Sequence, residues 1–420
     1  MDSSNDHAAR RQRGLSLKNQ GDELTRLGGA ENLAEAVRLC DEAIVLLNDQ
    51  PAAADGSDRD ELAGAWMKRG IAHLHMGAPD TLAEAVRCFD RAIALRKSLP
   101  LAENPAFRYG LAAGWLNRGD ALARLGGAEN IDAALASHAE AIALLETLPL
   151  DADPLYVKRL AIACLNRGIA LESKKSAPAL AEAVQSYQKT IGLLSDPKHA
   201  GDGSLDFILA GAWLNFGNAS LHASGDAAAR ETCAAAEKAL ALIAKTESGE
   251  PEPAEIGFKA RHLLCRATLA KLIATEAGEV IATEAGGTQM DFISTITDTV
   301  EDGLRLARDW EKAGITRFRP MATQLFHVGA LIYEKNQPQF LPEFVMDHLD
   351  PDRPTCVMPA VDNTWHAIAV ESLARVRQRI HSLDFGMLAT PQGQQWIDLL
   401  NEVKAAESRL RDLRESVATV

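Results

Sequence analysis

Four asparagines and one lysine occupy a single recurring position in this chain: Asn19, Lys68, Asn117, Asn166 and Asn215. An amide side chain offers a donor and an acceptor together, which suits the two faces of a peptide group. Asparagine is also a poor helix former, because its side chain competes for nearby backbone groups. Its presence at four of five equivalent places therefore asks for a use, either contact with a bound peptide or satisfaction of helix ends inside the fold. The next residue along is arginine in three of the five, at Arg69, Arg118 and Arg167. Aligned guanidiniums take carboxylates or an anionic ligand through forked hydrogen bonds. Glu35, Glu84 and Glu182 form a column that can supply carboxylates from within. Internal pairing is the expectation, since a ligand-facing arginine would leave those glutamates without partners.

Catalytic and metal-binding patterns are sparse. The sequence has no GxSxG, HExxH or GxxxxGK[ST], no GxGxxG after a strand and no kinase-like set. His73 and His75 lie two apart on a helical stretch, so they point in different directions and make poor joint ligands. Cys356 with His348 and His366 is the one grouping of a nucleophile with possible bases, and it lacks a local motif. No catalytic residue, metal ligand or cofactor is expected. The six cysteines are widely spaced without a CxxC pair, which reads as reduced thiols in a cytoplasmic protein.

What must position these residues is a repeat. The segments LKNQG, WMKRG, WLNRG, CLNRG and WLNFG end at Gly21, Gly70, Gly119, Gly168 and Gly217, at 49-residue intervals. Ala36, Ala85, Ala134 and Ala183 keep the same phase, as do Ile44, Ile93, Ile142, Ile191 and Leu240, and then Pro51, Pro100 and Pro149. LGGAEN recurs verbatim at 27–32 and 125–130, two periods apart. Within each unit the apolar residues follow a helical period twice, separated by Gly- or Pro-bearing turns, so each repeat predicts an antiparallel helix pair. Glycine inside a helix costs about 1 kcal/mol relative to alanine, and a close helix crossing against the alanine column is the expected reason for keeping it. Trp66, Trp115 and Trp213, with Leu17 and Cys164 as variants, would fill the space towards a neighbouring helix. One pair cannot bury both faces, so the pairs must stack.

Trp66 to Gly70, Ala85, Phe89, Ala92 and Pro100 together resemble the tetratricopeptide repeat pattern W-x2-L-G, A-x3-F, A and P. The likeness covers roughly 14–247. It departs from the family in its 49-residue period, and in having Gln20, Arg69, Arg118, Arg167 or Phe216 where the family usually has leucine. The resemblance implies an all-α superhelical solenoid of stacked, right-handed antiparallel helix pairs. It also implies that the residue two before the glycine faces a concave groove, where a family subset uses an asparagine ladder to hold an extended peptide backbone. On that basis Asn19, Lys68, Asn117, Asn166, Asn215, Arg69, Arg118 and Arg167 are the candidate groove residues.

Three regions are expected: a flexible arm at 1–13 carrying Arg10, Arg11 and Arg13, five repeats over 14–247, and degenerate helical repeats with a capping helix over 248–420. In the last region LFHVG at 325–329 restates the motif out of phase, IATEAG at 273–278 is copied at 281–286, and 350–365 carries three prolines and reads as a loop. Helices are predicted at about 291–313, 320–335 and 393–416. The last sets Leu399, Val403, Ala406, Leu410 and Leu413 on one seam, either a cap on the stack or a homodimer contact. A composition 47% hydrophobic and 24% charged is globular, and a net charge of −14 argues against nucleic acid or anionic membranes as partners. The opening MDSSNDHAARRQRG has no apolar core, and no run of 18 apolar residues occurs, so neither a signal peptide nor a membrane span is expected. The expected function is a non-enzymatic cytoplasmic adaptor for a protein or extended peptide. The alternative is a regulatory subunit that docks or dimerises through 250–420.

Overall fold

A computed structural model of the chain describes residues 2–48, 56–199, 201–222, 226–247, 249–276, 289–357, 363–383 and 391–418. Among them there is no strand. Pro51, and residues 277–288 with the whole of the second IATEAG copy and the end of the first, lie outside the described residues. The chain divides into two compact units, Met1–Ala212 and Trp213–Val420. The division falls inside the fifth repeat rather than after it.

The first unit is a series of helix pairs: α1 (Asp2–Leu27) with α2 (Ala30–Asn48), α3 (Ser57–Met76) with α4 (Pro79–Lys97), α5 (Pro105–Leu125) with α6 (Ala128–Glu146), and α7 (Pro154–Glu172) with α8 (Ala177–Leu194). Within this unit α2 also packs on α3, α4 on α5 and α6 on α7. The helix α9 (Gly203–Leu221) carries the division between the units, and α10 is Asp226–Ile243. The second helices thus begin at 30, 79, 128, 177 and 226.

Local chemistry explains where the helices break. Pro79, Pro105 and Pro154 stand in the first turn of their helices, where a missing N–H costs nothing. Asn104 and Asp153 cap by accepting from Ala106 N and Leu155 N, each at 2.9 Å. The turns inside the pairs alternate. In the first and third, two glycines with positive φ (Gly28 and Gly29, Gly126 and Gly127) reverse the chain. Asn32 and Asn130 then donate to the Gly28 and Gly126 carbonyls, each at 2.8 Å. In the second and fourth pairs a proline opens the second helix instead. The verbatim LGGAEN copies therefore fall at equivalent turns two pairs apart.

The segment 1–13, expected as a flexible arm, is helix from Asp2 onward. The reason is docking: Arg11 Nε lies 2.7 Å from Asp58 Oδ1 on α3, and Gly14 is buried against Leu47 of α2.

The second unit is less regular. It contains α10, α11 (Pro251–Glu276), α12 (Gln289–Lys312), α13 (Arg319–Asn336), the short α14 (Leu341–Leu349), α15 (Asn363–His381) and α16 (Pro391–Ala418). One core runs through it from Ala254 to Leu410. Phe326 is its centre, stacked on Trp365 at 4.4 Å and on Phe344 at 5.3 Å between ring centroids. Leu399, Val403, Ala406, Leu410 and Leu413 are all buried, with α16 packed on α14 and α15. The five seam residues expected as a cap or a dimer contact are therefore covered by their own chain.

Candidate binding surface

The glycine column sets the geometry. Gly21, Gly70, Gly119, Gly168 and Gly217 are all buried. A Cβ on Gly70 would lie 2.6 Å from Phe89 Cε1, and one on Gly119 would lie 2.5 Å from His138 Cε1. Tyr187 covers Gly168 in the same way, and Cys40 Sγ would sit 2.9 Å from a Cβ on Gly21. Four of the glycines thus receive the large column Cys40, Phe89, His138 and Tyr187, and the alanine column expected to face them enters at Gly21, where the Ala36 carbonyl would lie 3.1 Å from such a Cβ. Ala36, Ala85, Ala134 and Ala183 are fully buried in the same second helices.

On this frame the asparagine and lysine row has two kinds of member. Lys68 Nζ is 2.7 Å from Asp22 Oδ1, and Asn166 Nδ2 donates to Asp120 Oδ1 at 2.7 Å. In both cases the acceptor lies 46 residues earlier, on the first helix of the preceding pair. The same offset from Asn117 reaches Ile71, which accepts nothing, and among the described residues the half-buried Asn117 amide has no hydrogen bond from its side chain. Asn19 is exposed on α1.

Asn215 belongs to the second unit, where it lines a cavity of about 290 Å³ with Asn218, His262, Arg266 and Gln324. Burial, and then the charge of Arg266, hold the His262 imidazole below its usual range. Among the described residues Arg266, which is exposed, makes no ion pair.

The arginine row turns inward. Arg69 Nε donates to Asp41 Oδ1 and Arg118 Nε to Asp90 Oδ1, each at 2.7 Å. Arg69 Nη1 donates to Cys88 Sγ at 2.9 Å, Arg118 Nη1 to Ser137 Oγ at 2.8 Å, and Arg167 Nη1 to Ser186 Oγ at 2.9 Å. The guanidinium is seated alike in three successive pairs. Of the expected glutamate partners, Glu182 accepts from Arg167 Nη2 at 2.9 Å, Glu84 stands 3.6 Å from Arg69, and Glu35 binds Arg38 on its own helix instead. The principal partners, Asp41 and Asp90, were missed. They are themselves 49 residues apart, and that spacing was the available signal.

His138 is fully buried beside Asp120, with 3.8 Å between Nε2 and Oδ1. Burial pushes the Asp120 carboxyl up to about 6 despite the bond from Asn166. Burial and the charge of Arg167 push the His138 imidazole down to about 4.

The other chemical candidates are occupied. Cys356 Sγ faces the His348 carbonyl at 3.5 Å, while His348 Nδ1 meets the Phe344 carbonyl and His366 Nε2 the Leu410 carbonyl. The three do not form a thiol and imidazole pair. Burial pushes the Cys40 and Cys265 thiols up to about 12 and Cys164 up to about 11, so these sulfurs stay protonated and inert. His73 is buried and His75 exposed, on different sides of α3.

No protein-family model matches the chain, and no curated protein does. Among solved structures, the chain is similar to the apo form of RapI, with a TM-score of 0.43 and 10% identity over 77% of this chain and 99% of that one. It is also similar to a circular tandem repeat protein with novel repeat topology and enhanced subunit contact surfaces, with a TM-score of 0.29 and 12% identity over 98% of each chain. The functional reading rests on this chain's own side chains. No helix among the described residues is long and apolar enough to cross a membrane.

Proposed function

We propose that this chain is a protein-binding helical-repeat scaffold of the tetratricopeptide type, in a long-period variant, that holds an extended segment through side-chain amides and runs no reaction of its own. The observation that carries this reading is the Asn215 cavity. It gathers three amide side chains, Asn215, Asn218 and Gln324, with the imidazole of His262 and the guanidinium of Arg266, which makes no ion pair among the described residues. Such a lining offers donors and acceptors together, as a peptide backbone requires. Asn117, whose side chain has no hydrogen bond among the described residues, offers the same chemistry on the first unit. Lys68 and Asn166 are committed to Asp22 and Asp120, so they hold the pairs together and contribute to binding only by positioning. A cytoplasmic setting is part of the proposal, since none of the six cysteines is paired.

The test is capture of partners by the full chain from its host, followed by calorimetry with the segment identified. Asn117→Ala and Asn215→Ala should each weaken binding by about 0.5–1.5 kcal/mol, or roughly two- to thirteenfold, with little change in stability. Asn166→Ala should instead lower stability. Unchanged affinity in the Asn117 and Asn215 double variant would overturn the amide reading.

A second reading, a regulatory subunit docking through 250–420, is favoured by a groove of about 720 Å³ between α14 and α16. Phe340 is 48% exposed, and Glu343, Asp398 and Glu402 line the groove together with Arg353 and Arg409; since those two arginines are paired with Asp347 and Asp350, the three carboxylates suit a partner helix carrying basic side chains. Capture that depends on Glu343, Asp398 and Glu402 but not on Asn117 and Asn215 would favour it.

A further inference from the structure

Two of the three seated arginines show what the third lacks. Arg69 and Arg118 each fill Nε with an aspartate from the second helix of the preceding pair, Asp41 and Asp90. The equivalent residue for Arg167 is Ala139. Arg167 keeps the shared bond from Nη1, to Ser186, and adds Glu182 on Nη2, but among the described residues its Nε has no acceptor. Where the carboxylate would stand there is a cavity of about 330 Å³, lined by Ala139, Cys164, Arg167, Gln185, Ser186 and Lys189 among others. Lys189, paired with Glu146 on the same wall, brings a second cation to it.

We propose that this cavity is a subsite for a carboxylate, the side chain of an aspartate or glutamate on a protein partner, which takes the place that Asp41 and Asp90 hold in the neighbouring pairs. The chain displays the bound geometry twice: an Asp oxygen 2.7 Å from Nε, with Nη1 anchored on the following second helix. A guanidinium so anchored is preorganised and loses little freedom when it binds, and its planar fork matches a carboxylate. Gln185 and Ser186 supply further polar atoms at the wall. The volume admits an acidic side chain with its flanking backbone. The source of the carboxylate rests on the scaffold reading; the cavity itself does not, and a small probe separates the two.

The experiment uses the full chain labelled with 15N-arginine. The Nε–H resonance of Arg167 is assigned through Arg167→Lys, and N-acetyl-aspartate N-methylamide is the probe. A saturable shift of the Arg167 resonance is expected, with no shift for Arg69 or Arg118 and none from the matching asparagine compound. Ala139→Asp, which supplies the missing carboxylate in cis, should weaken the response at least tenfold while the fold is kept. An equal response to the asparagine compound, or an undiminished response in Ala139→Asp, would overturn the subsite. Succinate is the second arm: tighter binding than the capped aspartate would assign the cavity to a free dicarboxylate and overturn the side-chain source. Probe binding without any captured protein would leave the cavity standing and remove the scaffold reading.

Discussion

The two units solve the same packing problem with different reach. In the first, each pair closes on itself: a glycine on the first helix takes Phe89, His138 or Tyr187 from the second, and the apolar clusters stay within one or two neighbouring pairs. In the second, the same device recurs without the regular phase, at Gly303 against Leu325 and at Gly329. A Cβ on Gly329, the last residue of LFHVG, would lie 2.6 Å from Phe344 Cζ. There Phe344 also stacks on Phe326, which stacks on Trp365, so one contact is tied into a core spanning α11 to α16. Local closure lets side chains change pair by pair, as Cys40, Phe89, His138 and Tyr187 do. A connected aromatic core does not, because each ring is bounded by others.

This contrast is broken or upheld first by two core substitutions. Trp365→Ala removes a fully buried ring and should cost about 3–5 kcal/mol. Hydrogen exchange should then rise across α13, α14, α15 and α16 together. Gly119→Leu forces bulk against the His138 ring and should cost about 1–3 kcal/mol or more. Its faster exchange should stay within α5, α6 and their immediate neighbours, as expected where repeats touch only adjacent repeats. A loss of protection as widespread from Gly119→Leu as from Trp365→Ala would erase the distinction.

Much of the first unit was legible in sequence because its causes are local and repeated. The helical period, the buried glycines and the turn residues all act over a few positions, and the 49-residue spacing aligned them. The legible part of the candidate site was the inward turn of Arg69 and Arg118, but the partner was misassigned. Glu84 lies one turn from Arg87, with which it pairs, whereas Asp41 and Asp90 come from the preceding pair, a contact that only stacking creates. The asparagine row was read as uniform, yet its members differ because the preceding helix offers Asp22, Ile71 and Asp120 in turn. Spacing within one column cannot reveal what a second column places opposite it. Phe326 falls within LFHVG, the motif out of phase, but nothing in the spacing linked it to Phe344 or Trp365, since their meeting depends on tertiary packing of helices of unequal length.

A subtler test concerns the third pair, where a partly buried acid and a fully buried base lie side by side. The His138 imidazole, near 4 in the fold, ionises at a higher pH when unfolded. The unfolded chain then binds more protons, and this group's contribution to stability rises with pH between about 4 and 6.5. The Asp120 carboxyl, near 6 in the fold, has the opposite sign: its contribution falls as pH rises from about 4 to 6. The two oppose each other in the intact protein. Asp120→Asn leaves the histidine alone and should steepen the gain in stability with pH. His138→Phe, which borrows the residue of the second pair, leaves the aspartate alone and should make stability fall over the same range. Each slope amounts to on the order of 1–3 kcal/mol across the window. Denaturant titrations at several pH values read it, and parallel curves for all three proteins would mean that neither group titrates as its surroundings dictate.

The smallest effect tests the arginine row directly. Asp90 is about half exposed and Arg118 about a fifth exposed, so their pair has little desolvation to overcome and little Coulomb energy to gain. Asp90→Ala should cost about 0.2–1 kcal/mol, and Ala139→Asp should add a similar amount by completing the third pair. The argument depends on Arg167 being already anchored by Ser186 and Glu182, so that the new carboxylate meets a donor that need not be ordered first. A cycle with Arg167→Met separates this coupling from helix propensity, since aspartate is the poorer helix former and its intrinsic penalty appears in both backgrounds. Added salt should shrink the coupling. If Ala139→Asp destabilises equally with and without Arg167, the third guanidinium is not seated as the first two are, and the likeness among the three pairs fails at the point where they were expected to differ only by one carboxylate.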